Sequence, residues 1–480
     1  MTSESSPARC ASCFSIDMRI EVTGAGPMQT RIDAAAKRRK FLVKKTICDT
    51  RSRLCEPVAV ILGMLATSVS AQVAPQAPSA VASDPNPYYI GVSQALTHDS
   101  NVYRTPSGPS DNYSSTTLLG GFDQPISRQR IFGGASVSLN RYQDQTQLNN
   151  TSYNLNAGLD WQTVQSLSGN VNVGINRNLA APAASGVIPV ATRNESTNES
   201  AGTVVRWGGA SLLSVEGAAS YSKVNYSAPQ YVSSESSQDS ESLGLYYRPG
   251  GPLRLGVAVR TTRSRSPNAL LLSNGAVQSN NTRGNNLDLI VDYDLTGLIT
   301  TNARLSYTRQ TNSGISSADF SGITGNLNVS YRPTGKTSVS AYASRDTGFN
   351  NSLFNGYTVT LLNGVTPILT PVSGLYENNQ ITNSLGLGLT YAATAKISAT
   401  TGVRYARAKL ITTLVTQSSS QASPDTTDIS KNVYLGANYA IARNWALACN
   451  VSHENRDVSG AVTYSYTANT ASCLAQYTWR

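Results

Sequence analysis

Nowhere past residue 85 does the 480-residue chain hold an apolar run of the roughly 20 residues that a membrane-crossing helix needs. That absence excludes a helical membrane protein. Charge is scarce as well: Asp, Glu, Lys and Arg make up 14% of the chain, too few for the surface of an ordinary α-rich soluble enzyme. Lysine nearly vanishes after residue 71, where only Lys223, Lys336, Lys396, Lys409 and Lys431 occur. No basic stripe with interleaved aromatics appears, which leaves nucleic-acid binding without support. Two histidines, His98 and His453, are too few and too far apart for a metal site, and no HExxH, GxSxG or Gly-rich phosphate loop is present.

Cysteine is equally sparse. Cys10, Cys13, Cys48 and Cys55 fall in the N-terminal region, and Cys10 and Cys13 resemble half a zinc site with no second half. Residues 1–71 hold 11 Lys+Arg against 6 Asp+Glu, and the basic excess precedes the apolar stretch Pro57–Val69. Val69-Ser70-Ala71 then supplies small residues at the −3 and −1 positions of a cleavage site. Charged, apolar, small is the order of a secretory signal, expected to be cut after Ala71. It begins late for such a signal, and neither Met1, Met18 nor Met28 gives a usual length. Residues 1–71 are therefore read as a leader whose start is open, and 72–87, with four prolines among Ala and Ser, as a flexible periplasmic tail.

What remains, residues 88–480, is rich in Asn, Ser, Thr, Gly and Tyr and carries one dominant pattern. Segments of about ten residues alternate apolar and polar, separated in turn by short and long connections. Tyr153-Leu155-Ala157-Leu159-Trp161 interleaves with Asn154, Asn156, Gly158 and Asp160. The next segment alternates Val171, Val173 and Ile175 with Asn170, Asn172, Gly174 and Asn176. A strand sorts such residues onto two faces, whereas a helix would scatter them. In a membrane barrel the two faces meet lipid and lumen. Continued along the chain, the pattern predicts an all-β fold: an antiparallel, up-and-down transmembrane β-barrel of about 18 strands.

Strands running toward the short turns end near Phe122, Trp161, Trp207, Tyr247, Tyr293, Tyr331, Tyr391, Tyr439 and Trp479, all on the apolar parity. A ring of aromatics at one strand end is an interfacial girdle. A soluble sandwich with aromatic core residues does not explain why these nine share one end. Short turns are periplasmic in bacterial barrels. The longer connections, read as Leu179–Asn194, Ser266–Asn281, Thr347–Asn379 and Ala408–Asp428, are then extracellular. Register in the closing hairpin brings Cys449 opposite Cys473, so a cross-strand disulfide is expected, against the alternative of two thiols facing lipid.

The polar parity is the lumen. Its expected lining includes Asn154, Asn156, Asn170, Asn172, Asn176, Asn326, Asn328 and Asn438, with Arg206, Arg254, Arg304 and Arg404 among sparse, mixed charges. Amides exchange hydrogen bonds with sugar hydroxyls one for one, although any aqueous lumen must be polar. His98-Asp99 could in principle serve a surface hydrolase as a polarised base, but a solvated loop dipeptide is the favoured reading. No enzyme, metal or cofactor is expected.

Two stretches carry a resemblance: His98-Asp99-Ser100-Asn101-Val102-Tyr103-Arg104 after the first strand, and Asp123-Gln124-Pro125-Ile126-Ser127-Arg128-Gln129-Arg130 at the first short turn. Both are similar to the first hairpins of the EpsL-like outer-membrane barrels of exopolysaccharide biosynthesis operons, in the putative β-barrel porin class. The hairpin rhythm extends over residues 86–480, while the trailing Arg480 departs from the usual terminal aromatic. The resemblance implies passage of exopolysaccharide across the outer membrane, beside inner-membrane and periplasmic polysaccharide-synthesis proteins. Outer-membrane lipid and the barrel-assembly machinery are the other expected partners. A general or solute-selective porin shares every physical feature above.

Overall fold

The computed structural model describes residues 86–480, apart from 165, 181–192, 210, 272–276, 296, 314–318, 363–365, 417–419, 423–425 and 460–463. The expected leader, its cleavage after Ala71 and most of the 72–87 tail lie outside the described residues.

The chain forms β1 (Tyr88–Asp99), β2 (Asp111–Ile126), β3 (Gln129–Tyr142), β4 (Asn150–Gln162), β5 (Leu167–Leu179), β6 (Glu195–Trp207), β7 (Leu213–Tyr226), β8 (Ser236–Tyr247) and β9 (Leu253–Leu271). It continues with β10 (Val277–Leu295), β11 (Ile299–Asn312), β12 (Phe320–Thr334), β13 (Thr337–Leu362), β14 (Thr366–Ala392), β15 (Ile397–Thr416), β16 (Ser420–Ala422), β17 (Thr426–Ala440), β18 (Trp445–Ser459) and β19 (Tyr466–Trp479). Each strand pairs antiparallel with its neighbours, and β1 closes the ring on β19 from Ile90↔Trp479 to Asp99↔Thr470. The short β16 pairs only with the outer part of β15, so the barrel has 18 strands. Closure removes the sheet edge, so the backbone groups of the edge strands β1 and β19 are paired as a bilayer demands.

Alternation decides the two faces. On β1, Ile90, Val92 and Leu96 are exposed on one side while Ser93, Thr97 and Asp99 are buried on the other. Carried through the registers, the same sorting gives β9 an outward row of Leu255, Val257 and Val259, and gives β10 an outward Leu287 and Leu289. Large apolar side chains are thus exposed all round the outside, a solvent preference only a lipid environment reverses. Such closed barrels are the spanning form of the bacterial outer membrane, and this chain is an outer-membrane β-barrel.

All nine aromatics of the expected girdle stand on the outward face at the short-turn end, where Trp445 and Tyr477 join them, their rings 4.9 Å apart. A second aromatic level lies at the other edge of the apolar band, with Tyr221, Tyr307 and Tyr405 exposed outward. From Ile299 to Tyr307 the band is roughly 20 Å tall after strand tilt. The Cys449–Cys473 disulfide joins β18 to β19 at a directly opposed pair, Cα–Cα 4.1 Å, on the lipid-facing side.

Three of the four expected long loops are corrected. Ser266–Asn281, Thr347–Asn379 and Ala408–Asp428 are largely strand, because β9, β10, β13, β14 and β15 continue past the apolar band as paired hairpin arms. On β9 and β10 the outward positions past the apolar band become Arg263, Arg265, Asn281 and Arg283, so apolar–polar alternation ends there although pairing does not.

Candidate functional site

The inner wall is built strand by strand from the polar parity. Asn154, Asn176 and Asn198 stand directly across β4, β5 and β6. The Asn198 amide donates to Asn176 Oδ1 at 3.1 Å. Asn172 and Asn178 reach down their own strand to Asn170 and Asn176, and Asn156 faces Gly174. This wall is an amide field, with donors and acceptors on view and no net charge. Asn326 and Asn328 occupy the inner face of β12, opposite Arg304 and Asn302 of β11. Asn438 stands on that face of β17.

The charges are not scattered. Near the periplasmic rim, Arg206 Nε donates to Glu216 at 2.5 Å, Glu216 accepts from Arg254 at 2.9 Å, and Arg254 pairs with Asp292 at 3.1 Å. Asn302 extends the row to β11 by donating to Asp292 at 2.9 Å. The Arg254 guanidinium lies 3.7 Å over the Tyr246 ring, and Tyr246 Oη reaches Glu216. Two guanidiniums and two carboxylates make this belt neutral, so Arg206 and Arg254 are not open cation sites. One level higher, Arg260 grips Asp288 at 2.8 Å. Arg404 differs: it is exposed on the inner face and makes no ion pair among the described residues.

Opposite the amide field the wall carries aromatic shelves. Tyr342 lies across Gly386 of the adjoining strand, where a Cβ would stand 2.0 Å from Tyr342 Cε1. Tyr434 lies across Gly402, where a Cβ would stand 2.5 Å from its hydroxyl. The two rings lean toward each other from β13 and β17 over a floor formed by β14 and β15. Register places Arg404 beside Gly386 on that floor, with Asn432 next in the row. Glycine is required at both positions for the rings to lie flat with one face to the lumen.

The external mouth is narrowed by the first loop. Asn101, Val102, Tyr103 and Arg104 are all buried. Val102 and Tyr103 pack with Tyr142 and Leu148, and against Tyr113 and Leu179. Tyr113 and Tyr142 stand on the lumen parity and stack at 4.6 Å, so the loop folds inward over the wall. Arg104, left-handed at φ 54, anchors it. Its Nη1 donates to both Asp99 oxygens at 2.8 and 2.9 Å and to Asn101 O, and its Nε to Glu454 at 3.3 Å. Burial alone lowers the Arg104 pKa, but the Asp99 and Glu454 carboxylates outweigh it and hold the group above its ordinary value. Asn101 ties the loop to β19 through Thr467 O at 3.1 Å. On the other side of the mouth, the 3-10 helix Pro229–Ser234 packs against β9 and β13.

His98 and Asp99 do not form a dyad. Successive strand residues face opposite sides, so His98 points outward, its Nδ1 2.9 Å from Asn112 Oδ1, while Asp99 points inward to Arg104. His453 likewise faces outward, 2.7 Å from Asn469. Among the described residues no cluster of His, Cys, Asp or Glu could hold a metal.

Sequence reasoning missed the inward loop and the shelves. Signals existed for both: Val102-Tyr103 is an apolar pair inside a polar loop, and Tyr342 and Tyr434 break the polar parity.

No family model and no curated protein matches the chain. Among solved structures it is similar to a mutant of the ferric enterobactin receptor PfeA from Pseudomonas aeruginosa, at 11% identity over 82% of this chain and 80% of that one, TM-score 0.38. It is similar to the siderophore receptor PirA from Acinetobacter baumannii, at 7% over 84% and 81%, TM-score 0.40. It is also similar to OpdK from Pseudomonas aeruginosa solved with vanillate, at 11% over 82% and 98%, TM-score 0.39.

Proposed function

We propose that the barrel is a passive conduit for exopolysaccharide across the outer membrane, with the β4–β6 amide field and the Tyr342/Tyr434 shelves as its sugar track. The observation that carries this reading is the pairing of amides on one wall with flat aromatic rings on the other. Sugars present hydroxyls at their edges and C–H groups on their faces, and these two surfaces match both. Neutral amides bind weakly and at many positions, which a conduit needs so that cargo can leave. Internal charge is largely cancelled in ion pairs, which suits a neutral or mildly acidic polymer. Arg404, exposed on the inner face, is a cation placed to meet an acidic sugar. Polymer would be handed on by inner-membrane and periplasmic synthesis proteins. No covalent step belongs to this role.

One observation favours the porin alternative. A mouth narrowed by an inward loop, with an ionic row along one wall, also sorts small hydrated solutes by size and charge.

The test is current block in planar bilayers. Oligosaccharides added to the wild-type barrel are expected to give brief, resolvable blocks. Tyr434→Ala and the Asn170→Ala/Asn172→Ala pair should shorten them, each lost aromatic or amide contact costing about 1 kcal/mol, roughly fivefold in residence time. A steady conductance indifferent to sugars in all three proteins would leave the porin reading standing instead.

A further inference from the structure

Six ascending strands share a feature that neither the lumen nor the apolar band uses. Ten residues after the first outward apolar residue, as from Leu253 to Arg263 or Ile299 to Arg309, each strand carries an outward base. These are Arg141, Arg177, Lys223, Arg263, Arg309 and Arg407. On three of those strands the outward residue immediately below is a tyrosine of the upper girdle: Tyr221, Tyr307 or Tyr405. Aromatic girdles sit at the headgroup level, so the bases stand just beyond it on the lipid-facing side. They form a collar outside the barrel, where no cargo passes.

The collar is not self-neutralised all the way round. On β5 to β7, Arg177 pairs with Glu195 and Lys223 stands opposite Glu199. From β9 to β15 the balance changes. Arg263 has Glu241 at 3.6 Å and stands opposite Asp239 across the β8–β9 ladder, while across the β9–β10 ladder it faces Arg283, a like-charge pair whose second member has no carboxylate of its own among the described residues. Arg309 stands one strand further on, opposite Asn285. Arg345 and Arg407 flank Asn383 from either side. All five arginines are exposed, and Arg283, Arg309, Arg345 and Arg407 make no ion pair among the described residues.

We propose that this arc, from β9 to β15, binds the phosphate groups of lipopolysaccharide in the outer leaflet. The inference is independent of the cargo. Guanidiniums take phosphate oxygens in a bidentate fork, and an anion between Arg263 and Arg283 turns their repulsion into a shared clamp. Acyl chains of the same lipid would then lie along the exposed Val257, Val259, Leu287 and Leu305 beneath.

The test titrates the full-length, detergent-purified barrel with lipid A. Bisphosphorylated lipid A is expected to bind, and lipid A stripped of phosphate to bind far more weakly. The Arg263→Gln/Arg283→Gln/Arg309→Gln triple variant should lose roughly a hundredfold in affinity, at roughly fivefold per cation. Lys223→Gln, outside the arc, should stay near wild type. Heat-modifiable gel mobility reports whether each variant is folded. Equal affinity of wild-type protein for the two lipids would overturn the proposal whether or not the triple variant folds. So would unchanged lipid A affinity in a folded triple variant, or displacement of lipid A by an acidic oligosaccharide, which would make the arc a cargo site.

Discussion

Replacing Arg104 by alanine should loosen the mouth of the barrel. The side chain is 7% exposed, and its partners Asp99 and Glu454 are 11% and 15% exposed. Removing the guanidinium strands two carboxylates on the inner wall. Breaking a buried pair from one side costs about 3–5 kcal/mol. If that loss falls on the docked loop, its docked-to-released ratio drops by roughly two to three and a half orders of magnitude. Val102 and Tyr103 still bury against Tyr142 and Leu148, worth about 1.5–3 kcal/mol each when fully covered. The loop should therefore flicker rather than detach. Single-channel records of the variant are expected to show a larger mean conductance with fast open-channel noise, and limited proteolysis should cut between residues 100 and 110. Adding Asp99→Asn should recover part of the loss by removing one stranded charge. Conductance, noise and cleavage all equal to wild type would refute the anchor.

Glu216→Gln leaves Arg206 and Arg254 without their shared carboxylate and adds one net positive charge to the rim. Reversal potentials in a salt gradient should shift toward anion selectivity, and unchanged selectivity would mean that the row does not border the ion path. Cys449→Ser removes a cross-link closing a loop of sequence separation 24, worth at most about 3.5 kcal/mol by chain entropy. Intact mass without reductant should show the bond in wild type, and the denaturant midpoint of folded gel mobility should fall in the variant. Gly386→Ala places a methyl on the Tyr342 ring and should push it into the lumen, costing about 1–3 kcal/mol and lowering conductance.

The barrel was legible because its two environments are so unlike. Lipid outside and water inside impose period-two contrast on Tyr153–Trp161 and Val171–Ile175, and register follows from that contrast. The same logic explains where reading stopped. Above Val259 and Leu287 the outward residues of β9 and β10 become Arg263, Arg265, Asn281 and Arg283, both faces are wet, and that long hairpin arm looks like a loop. In the lumen, sequence located inward positions but not their partners. Arg206 and Arg254 read only as members of a sparse, mixed set of inward charges, and it took the registers to set Glu216 and Asp292 beside them. The inward fold of residues 100–104 depends on Glu454 and Thr467, 350 and 366 positions from their partners, and no local pattern announces such contacts.

A sugar track must let sugar pass through this lumen faster than its size alone allows. Proteoliposomes carrying the barrel, loaded with fluorescent neutral oligosaccharides and with inert polymers of matched hydrodynamic radius, test that directly. The oligosaccharides are expected to leave faster than the matched polymers, with the difference reduced in Tyr434→Ala. Efflux ordered by radius alone, the same for both solutes and both proteins, would contradict a sugar track and leave a size-selective pore.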